Sequence, residues 1–314
     1  MPPDVEERLN VLSLFDGMSC GQIALERIGI QVDNYFASEI KPHAIKVTQH
    51  NYPKTIQLGD VRNVSSKDLP KIDLLIGGSP CQDFSQANSE KLGLSGEKSG
   101  LFFEYLRILK ECKPKYFLLE NVAMDGKEYY KISEMLGTFP VKINSALVSP
   151  QLRERVYWTN IGPEWFDLTE FRYCDIPQPK DKKIKLSEIL ENGYTDRLKA
   201  RCLLESDSRL SATPVKMYYR YAIKGFTTLI FKSKKHFEEC RNYFNKNFDG
   251  LSADEIQCDS NIFDGVRYMT QSELEACQTV PKGYTSILQR NDAACLLGDG
   301  WTVDVIAHIF KYIS

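Results

Sequence analysis

Apolar and polar positions alternate along the first 160 residues in a way that predicts repeated strand–helix units. Asn10 to Phe15 (NVLSLF) reads as a buried strand, and Gly21 to Ile28 as the helix that follows it. Val32 to Ser38 reads as a second strand, with a helix from Pro42, and Thr55 to Leu58 as a third strand. Asp73 to Ile76 is a short apolar run that leads into Gly77-Gly78-Ser79-Pro80-Cys81. Leu101 to Cys112 has helical periodicity, Tyr116 to Leu119 forms a further strand, and Tyr129 to Leu136 a further helix. Val141 to Val148 and Val156 to Asn160 complete the series as strands. Alternation of this kind predicts an α/β fold, with a mostly parallel sheet covered on both faces.

The pattern changes after Tyr173. Residues 175–183 carry two prolines and a charge cluster, which reads as a linker, and no clean alternation returns before about residue 265. The end of the chain, TVDVIAHIFKYI, puts Val303, Ile306, Ile309, Phe310 and Ile313 on one helix face, with Thr302 as the expected N-cap. No apolar run approaches the roughly 20 residues that span a bilayer, so no membrane partner is expected. The polar, acidic start MPPDVEERLN does not read as a targeting segment.

Composition alters this picture at one point. The net charge of −2 gives no hint of a polyanionic partner. Residues 176–250, however, hold 16 Lys and Arg against 9 Asp and Glu, whereas the remainder holds 24 against 33. A neutral average thus conceals a basic segment, of the sort that contacts phosphates. Nine cysteines include no Cys-x-x-Cys pair, and the four histidines lack metal-ligand spacing, so no metal site is expected. The odd cysteine count fits a reducing, intracellular setting.

Chemistry gathers at the predicted strand ends. The first strand runs into Phe15-Asp16-Gly17-Met18-Ser19-Cys20-Gly21, where glycines permit a sharp turn and close approach of a ligand. Glu39 ends the second strand, where an acid can accept from ribose hydroxyls. Asp60 follows the third strand, where it could accept from an adenine amino group. Ser19 replaces the second glycine of a Gly-x-Gly-x-x-Gly pattern, which suits an adenosine ligand without a pyrophosphate, such as S-adenosylmethionine. Cys81 lies just past a strand's carboxyl end, a place for a thiolate nucleophile. The polar loop from Gln82 to Gly100 beside it reads as a mobile lid. Glu120-Asn121-Val122 follows the strand KYFLL, and a carboxylate there could hydrogen-bond or protonate a ring nitrogen. Gln151, Arg153 and Arg155 alternate before the strand VYWTN, and period-two spacing puts both arginines on one side of an extended segment.

Taken in order, FDGMSCG, Glu39, Gly59-Asp60, GGSPCQDFS, Glu120-Asn121-Val122 and Gln151-Leu152-Arg153-Glu154-Arg155 resemble the cytosine-C5 DNA methyltransferase family. Phe15-Asp16-Gly17, Leu101-Phe102-Phe103-Glu104 and Leu297-Gly298-Asp299-Gly300-Trp301-Thr302-Val303 resemble its animal de novo branch in detail. Asp299 departs from that branch, which carries Arg there, and Trp301 departs from most of the family, which carries Asn. The resemblance implies a Rossmann-like, S-adenosylmethionine-dependent sheet with a smaller target-recognition domain. It implies methyl transfer to C5 of a cytosine flipped out of a specific double-stranded DNA sequence.

By the same resemblance, Cys81 attacks C6, Glu120 contacts N3 and the exocyclic amine, Arg153 and Arg155 hold the pyrimidine, and Gln151 helps place water or DNA. The cofactor would lie among Phe15, Asp16, Gly17, Ser19, Glu39, Ile40, Asp60, Val61, Pro80, Leu101, Trp301 and Thr302. Gln86, Ala87 and Asn88 would fill the space the base vacates. The expected organisation is a catalytic domain over 1–173, a target-recognition domain over 174–267, and a segment 268–314 that returns to the catalytic domain. A microbial or viral source and a cytoplasmic location are expected, or a nuclear one if the source is eukaryotic. The rival on the same scaffold is a tRNA cytosine methyltransferase, but the Cys-Phe-Thr tripeptide of that branch is absent here. A non-catalytic DNA-binding relative is the second rival.

Overall fold

A computed structural model describes residues 8–79, 100–124, 126–168, 170–205, 211, 213–225, 227–248, 250, 255 and 261–313. The chain divides into two units: Met1–Asn144, Glu154–Lys180 and Trp301–Ser314 form the first, and Ser145–Arg153 with Asp181–Gly300 the second.

The first unit is built on strands β1 (Leu9–Leu14), β2 (Val32–Ser38), β3 (Ile56–Gln57), β4 (Leu74–Gly78), β5 (Tyr116–Val122), β6 (Val141–Asn144) and β7 (Glu154–Thr159). Their order in the sheet is β3-β2-β1-β4-β5-β7-β6. The first five run parallel, and β7 runs antiparallel to both its neighbours. The central strands are buried along nearly their whole length. That explains why they read as unbroken apolar runs instead of alternating ones. Helices α1 (Cys20–Arg27), α2 (Pro42–Asn51), α3 (Gly100–Cys112) and α4 (Lys127–Leu136) follow strands in turn. The core beneath α3 joins Leu12, Leu75, Phe102, Tyr105, Phe117 and Trp158.

Several boundaries differ from the sequence reading. β5 extends through Val122, so Glu120 and Asn121 lie inside the strand. The expected strand 141–148 stops at Asn144, because a 3-10 turn at Ser145–Leu147 starts the chain's first excursion into the second unit. A hairpin of β8 (Glu164–Phe166) and β9 (Arg172–Cys174), absent from the sequence reading, closes the first unit's long segment.

The second unit centres on an aromatic cluster that includes Tyr218, Phe231, Phe237, Phe244 and Phe263. Helix α5 (Pro214–Tyr219) starts with proline in its first turn and Thr213 capping Lys216 N. Helices α6 (Lys234–Phe248), α7 (Gln271–Cys277) and α8 (Arg290–Asp299) complete it. α7 opens on a capping box between Thr270 and Glu273.

The unit therefore runs to Gly300, past the expected limit of 267, and only Trp301 onward belongs to the first unit. This changes the charge argument. Residues 251–300 hold three basic and eight acidic side chains, which offset most of the excess in 176–250. The basic bias is a property of one part of the unit, not of the whole. By composition Arg290–Phe310 could cross a membrane, but it is broken after Asp299 and 72% buried. Its second half, α9 (Val303–Phe310), packs on α1, where Arg27 pairs with Asp304. Thr302 stands at the N-cap of α9 without a side-chain capping bond.

Candidate active site

In the first unit the chain turns from β1 outward to β2 and β3, then crosses to β4 on the other side. A sheet that reverses in this way leaves a crevice at the carboxyl ends of β1 and β4. The turn after β1 is shaped by left-handed backbone at Phe15 (φ 57°), Gly17 (φ 60°) and Ser19 (φ 59°). For Phe15 and Ser19 that conformation is strained, and the surroundings must enforce it. Asp16 supplies part of that constraint. Its Oδ1 accepts from Tyr35 Oη at 2.9 Å, and its Oδ2 accepts from Ser19 Oγ. Burial pushes the Asp16 carboxyl up to about 6, against the hydrogen bonds from Ser13, Ser19 and Tyr35 that pull it down.

Glu39, at the end of β2, fastens two loops together. Its Oε2 accepts from Gly17 N at 2.8 Å, and its Oε1 accepts from Ile40 N at 2.7 Å and Lys41 N at 2.8 Å. Beside it Ile40 is 63% exposed, an apolar surface at the crevice that a planar ring could cover. Asp60 caps the turn Val61–Asn63 and pairs with Arg62. The hydrogen bond from Arg62 N, followed by the Arg62 side chain, holds its carboxyl below the usual range. Val61 is buried in the core below the turn, with Leu101 packed against that same core.

The strongest polar constellation lies at the end of β5. Register pairs Glu120 with Gly78 on β4 and with Tyr157 on β7, so three strands meet there. Glu120 is buried, and Arg155 Nε lies 3.0 Å from its Oε1. Trp301 Nε1 donates to its Oε2 at 3.1 Å. Asn121 Nδ2 donates to Ser79 Oγ at 3.2 Å, tying β5 to the residue that precedes Pro80. Pro80, Cys81, the loop to residue 99 and Gln86, Ala87 and Asn88 lie outside the described residues.

Of the three alternating residues, Gln151 and Arg153 belong to the second unit and Arg155 to the first. The alternation is present, with Gln151 and Arg153 buried and Leu152 and Glu154 exposed. Both buried side chains, however, spend their groups inside the second unit. Arg153 Nη1 donates to Leu203 O at 3.0 Å, and its Nη2 to Gly298 O at 3.1 Å and Gly300 O at 2.9 Å. Gln151 Nε2 donates to Cys277 O at 2.7 Å and Gln278 Oε1 at 2.8 Å, and its Oε1 accepts from Leu203 N at 3.3 Å. Gln278 Nε2 in turn donates to Leu297 O at 2.6 Å. The reason is the burial of loop and helix-end carbonyls, which must find donors.

Three contributors escaped the sequence reading. Tyr35 braces Asp16 from β2. Arg107 on α3 donates to Val61 O at 3.2 Å and Val64 O at 3.0 Å and so fixes the turn after Asp60. Gly78 leaves room for Trp301 and Glu120. The paired glycines before Ser79 were the signal available for the last.

A sheet wound in two directions, with an antiparallel strand β7 between β5 and β6, matches the Rossmann-like fold of S-adenosylmethionine-dependent methyltransferases. The chain belongs to the C-5 cytosine-specific DNA methylase family, whose model matches residues 9–314. Type II methyltransferase M1.ScrFI of Lactococcus lactis subsp. cremoris is 33% identical over 201 residues, 60% of this chain and 50% of that protein. Orphan methyltransferase M.SPRI of Bacillus phage SPR is 37% identical over 196 residues, 56% of this chain and 44% of that protein. The chain thus spans about half the length of the curated relatives it matches. Its fold is shared with the crystal structure of a mutant of Spodoptera frugiperda DNMT2. That match has a TM-score of 0.65 and 19% identity, covering 97% of this chain and 99% of the other. The crystal structure of S. pombe Dnmt2 methyltransferase gives a TM-score of 0.63 at 17% identity, over 97% of each chain.

Proposed function

We propose that the protein methylates C5 of cytosine in a specific double-stranded DNA sequence, with S-adenosylmethionine as methyl donor. The observation that carries this reading is the Glu120 carboxylate, buried at the carboxyl end of β5 and gripped by Arg155 and Trp301. Two residues beyond its partner Gly78, the chain reaches Pro80-Cys81. Membership of the cytosine C5 methylase family supports the choice of substrate.

The β1 and β2 turns fit an adenosine ligand. Exposed Ile40 offers a ring face, Glu39 is already fixed by main-chain N–H groups, and Phe15 and Gly17 bring backbone to the crevice. Bound there, S-adenosylmethionine would supply an electrophilic methyl group. The protein's own part is to make C5 nucleophilic. The Cys81 thiolate adds to C6 while Glu120 hydrogen-bonds N3 and the exocyclic amine of a flipped cytosine. After C5 is methylated, solvent water takes up its proton as the bond between Cys81 and C6 breaks, which restores the aromatic ring and the thiolate. Arg155 holds Glu120 in place, whereas Gln151 and Arg153 support the fold of the second unit. The basic part of that unit, 176–250, supplies phosphate contacts to the DNA.

The test supplies methyl-labelled S-adenosylmethionine with either genomic DNA or tRNA. Label in DNA, lost in Cys81→Ser, is the expected result. Label confined to tRNA would assign the rival substrate.

A further inference from the structure

The described contacts give Trp301 a partner that a cofactor-lining role does not require. Its indole N–H donates to Glu120 Oε2 at 3.1 Å, while the other carboxylate oxygen faces Arg155 Nε at 3.0 Å. Two donors on opposite oxygens fix both the side-chain torsion and the plane of the carboxylate. One donor alone would leave the group free to swing about its last bond. The arrangement also explains a glycine. A Cβ at Gly78 would lie 2.8 Å from Trp301 Nε1, closer than such a carbon comes to any atom, and 3.1 Å from Glu120 Oε2, a tight contact. Gly78 is therefore the opening through which the indole reaches the carboxylate. The residue that carries the donor comes from the last segment of the chain, 181 positions from Glu120.

From this geometry we infer that Trp301 is a positioning residue for Glu120. It orients the carboxyl group toward the cytosine ring edge, where one oxygen accepts from the exocyclic amine and the other shares a proton with N3. The inference rests on the methyltransferase reading above, but the hydrogen bond itself does not. The long indole ties the C-terminal segment to the chemical group of β5 directly.

Two measurements test this. The first uses the indole N–H signals of the three tryptophans, Trp158, Trp165 and Trp301, in a 15N-edited spectrum of the full chain. Glu120→Gln and Gly78→Ala should each move the Trp301 signal, assigned by its loss in Trp301→Phe, with the other two unmoved. An unmoved Trp301 signal in Glu120→Gln would remove the bond and the proposal with it. The second replaces Trp301 site-specifically by benzothienylalanine, which keeps the ring shape and has sulfur where the N–H was. The expected result is a kcat about tenfold lower with KM for DNA and for S-adenosylmethionine within about twofold. Gly78→Ala should reproduce that split. Unchanged kcat, or a loss seen only in KM for S-adenosylmethionine, would overturn the positioning role and leave a cofactor wall. If the wild-type chain methylates neither DNA nor tRNA, the functional reading fails and the role with it, while the spectral shift still reports the bond.

Discussion

Gln151, Arg153 and Arg155 come from one extended stretch, yet their side chains meet partners of two different kinds. In the second unit Gln151 and Arg153 donate to main-chain carbonyls of Cys277, Leu203, Gly298 and Gly300. In the first unit Arg155 faces a carboxylate whose other oxygen is taken by Trp301. The first arrangement satisfies backbone that burial would otherwise strand. The second holds a side-chain acid at a strand end where ligands bind. A charged residue in a motif is therefore assigned by what its atoms touch, because spacing alone gives the same pattern for scaffold and site.

Mutations can break this contrast, and the largest effect is expected at the acid. Glu120→Gln keeps the shape of the carboxylate and loses its charge. Turnover of the folded protein should fall by about 1,000-fold, beside a smaller loss of urea midpoint, because the amide NH2 must face Arg155 Nε or Trp301 Nε1. Retained turnover would remove Glu120 from the chemistry. Arg153→Met should do the reverse. It strips donors from Leu203 O, Gly298 O and Gly300 O, and should cost about 3 kcal/mol of stability in urea unfolding. If Arg153→Met kept wild-type stability and lost turnover, the two arginines would belong together after all.

Asp16 gives a pH-dependent member of the series. Its folded value near 6 is above the ordinary 3.8, so its ionisation opposes folding. The stability this group lends is complete below about pH 4 and is lost as pH rises through 6. Asp16→Asn removes that loss. The stability of the variant minus that of wild type should therefore grow between pH 4 and pH 7, by roughly 2 kcal/mol. A difference that is flat in pH would mean the carboxyl is not perturbed by burial. The smallest effect is expected at Gln278→Leu, which removes one of the two donors to Gly300 O and the donor to Leu297 O. A loss of about 1–2 kcal/mol in urea midpoint, with the activity of the folded protein intact, fits a scaffold role.

Much of the first unit was legible in the sequence. Buried parallel strands demand apolar runs, and β1, β2 and β4 stand out as such between turn residues. Phe15 to Ser19, Glu39, Asp60 and Glu120 were legible as candidates because sites on such sheets collect at strand ends. What spacing could not give was the pairing of side chains distant in sequence. Trp301 read as part of a ligand wall, since nothing local shows that its N–H meets Glu120. Gln151 and Arg153 read as site residues, since the carbonyls they serve lie 50 to 147 positions away. The β8–β9 hairpin escaped because three-residue strands with exposed Trp165 and Phe166 carry no buried alternation. The second unit extends to Gly300, and its acidic end offsets the basic bias of its start, so composition marks only the first part of it.

The most direct test needs no knowledge of the target sequence. Bisulfite sequencing of DNA from cells that express the protein, alongside cells that express Cys81→Ser, reads every cytosine at once. Methylation confined to one short sequence context, present with the wild-type chain and absent with Cys81→Ser, is the predicted result. No methylated context with the wild-type chain, or the same context with both chains, would contradict cytosine methylation through Cys81.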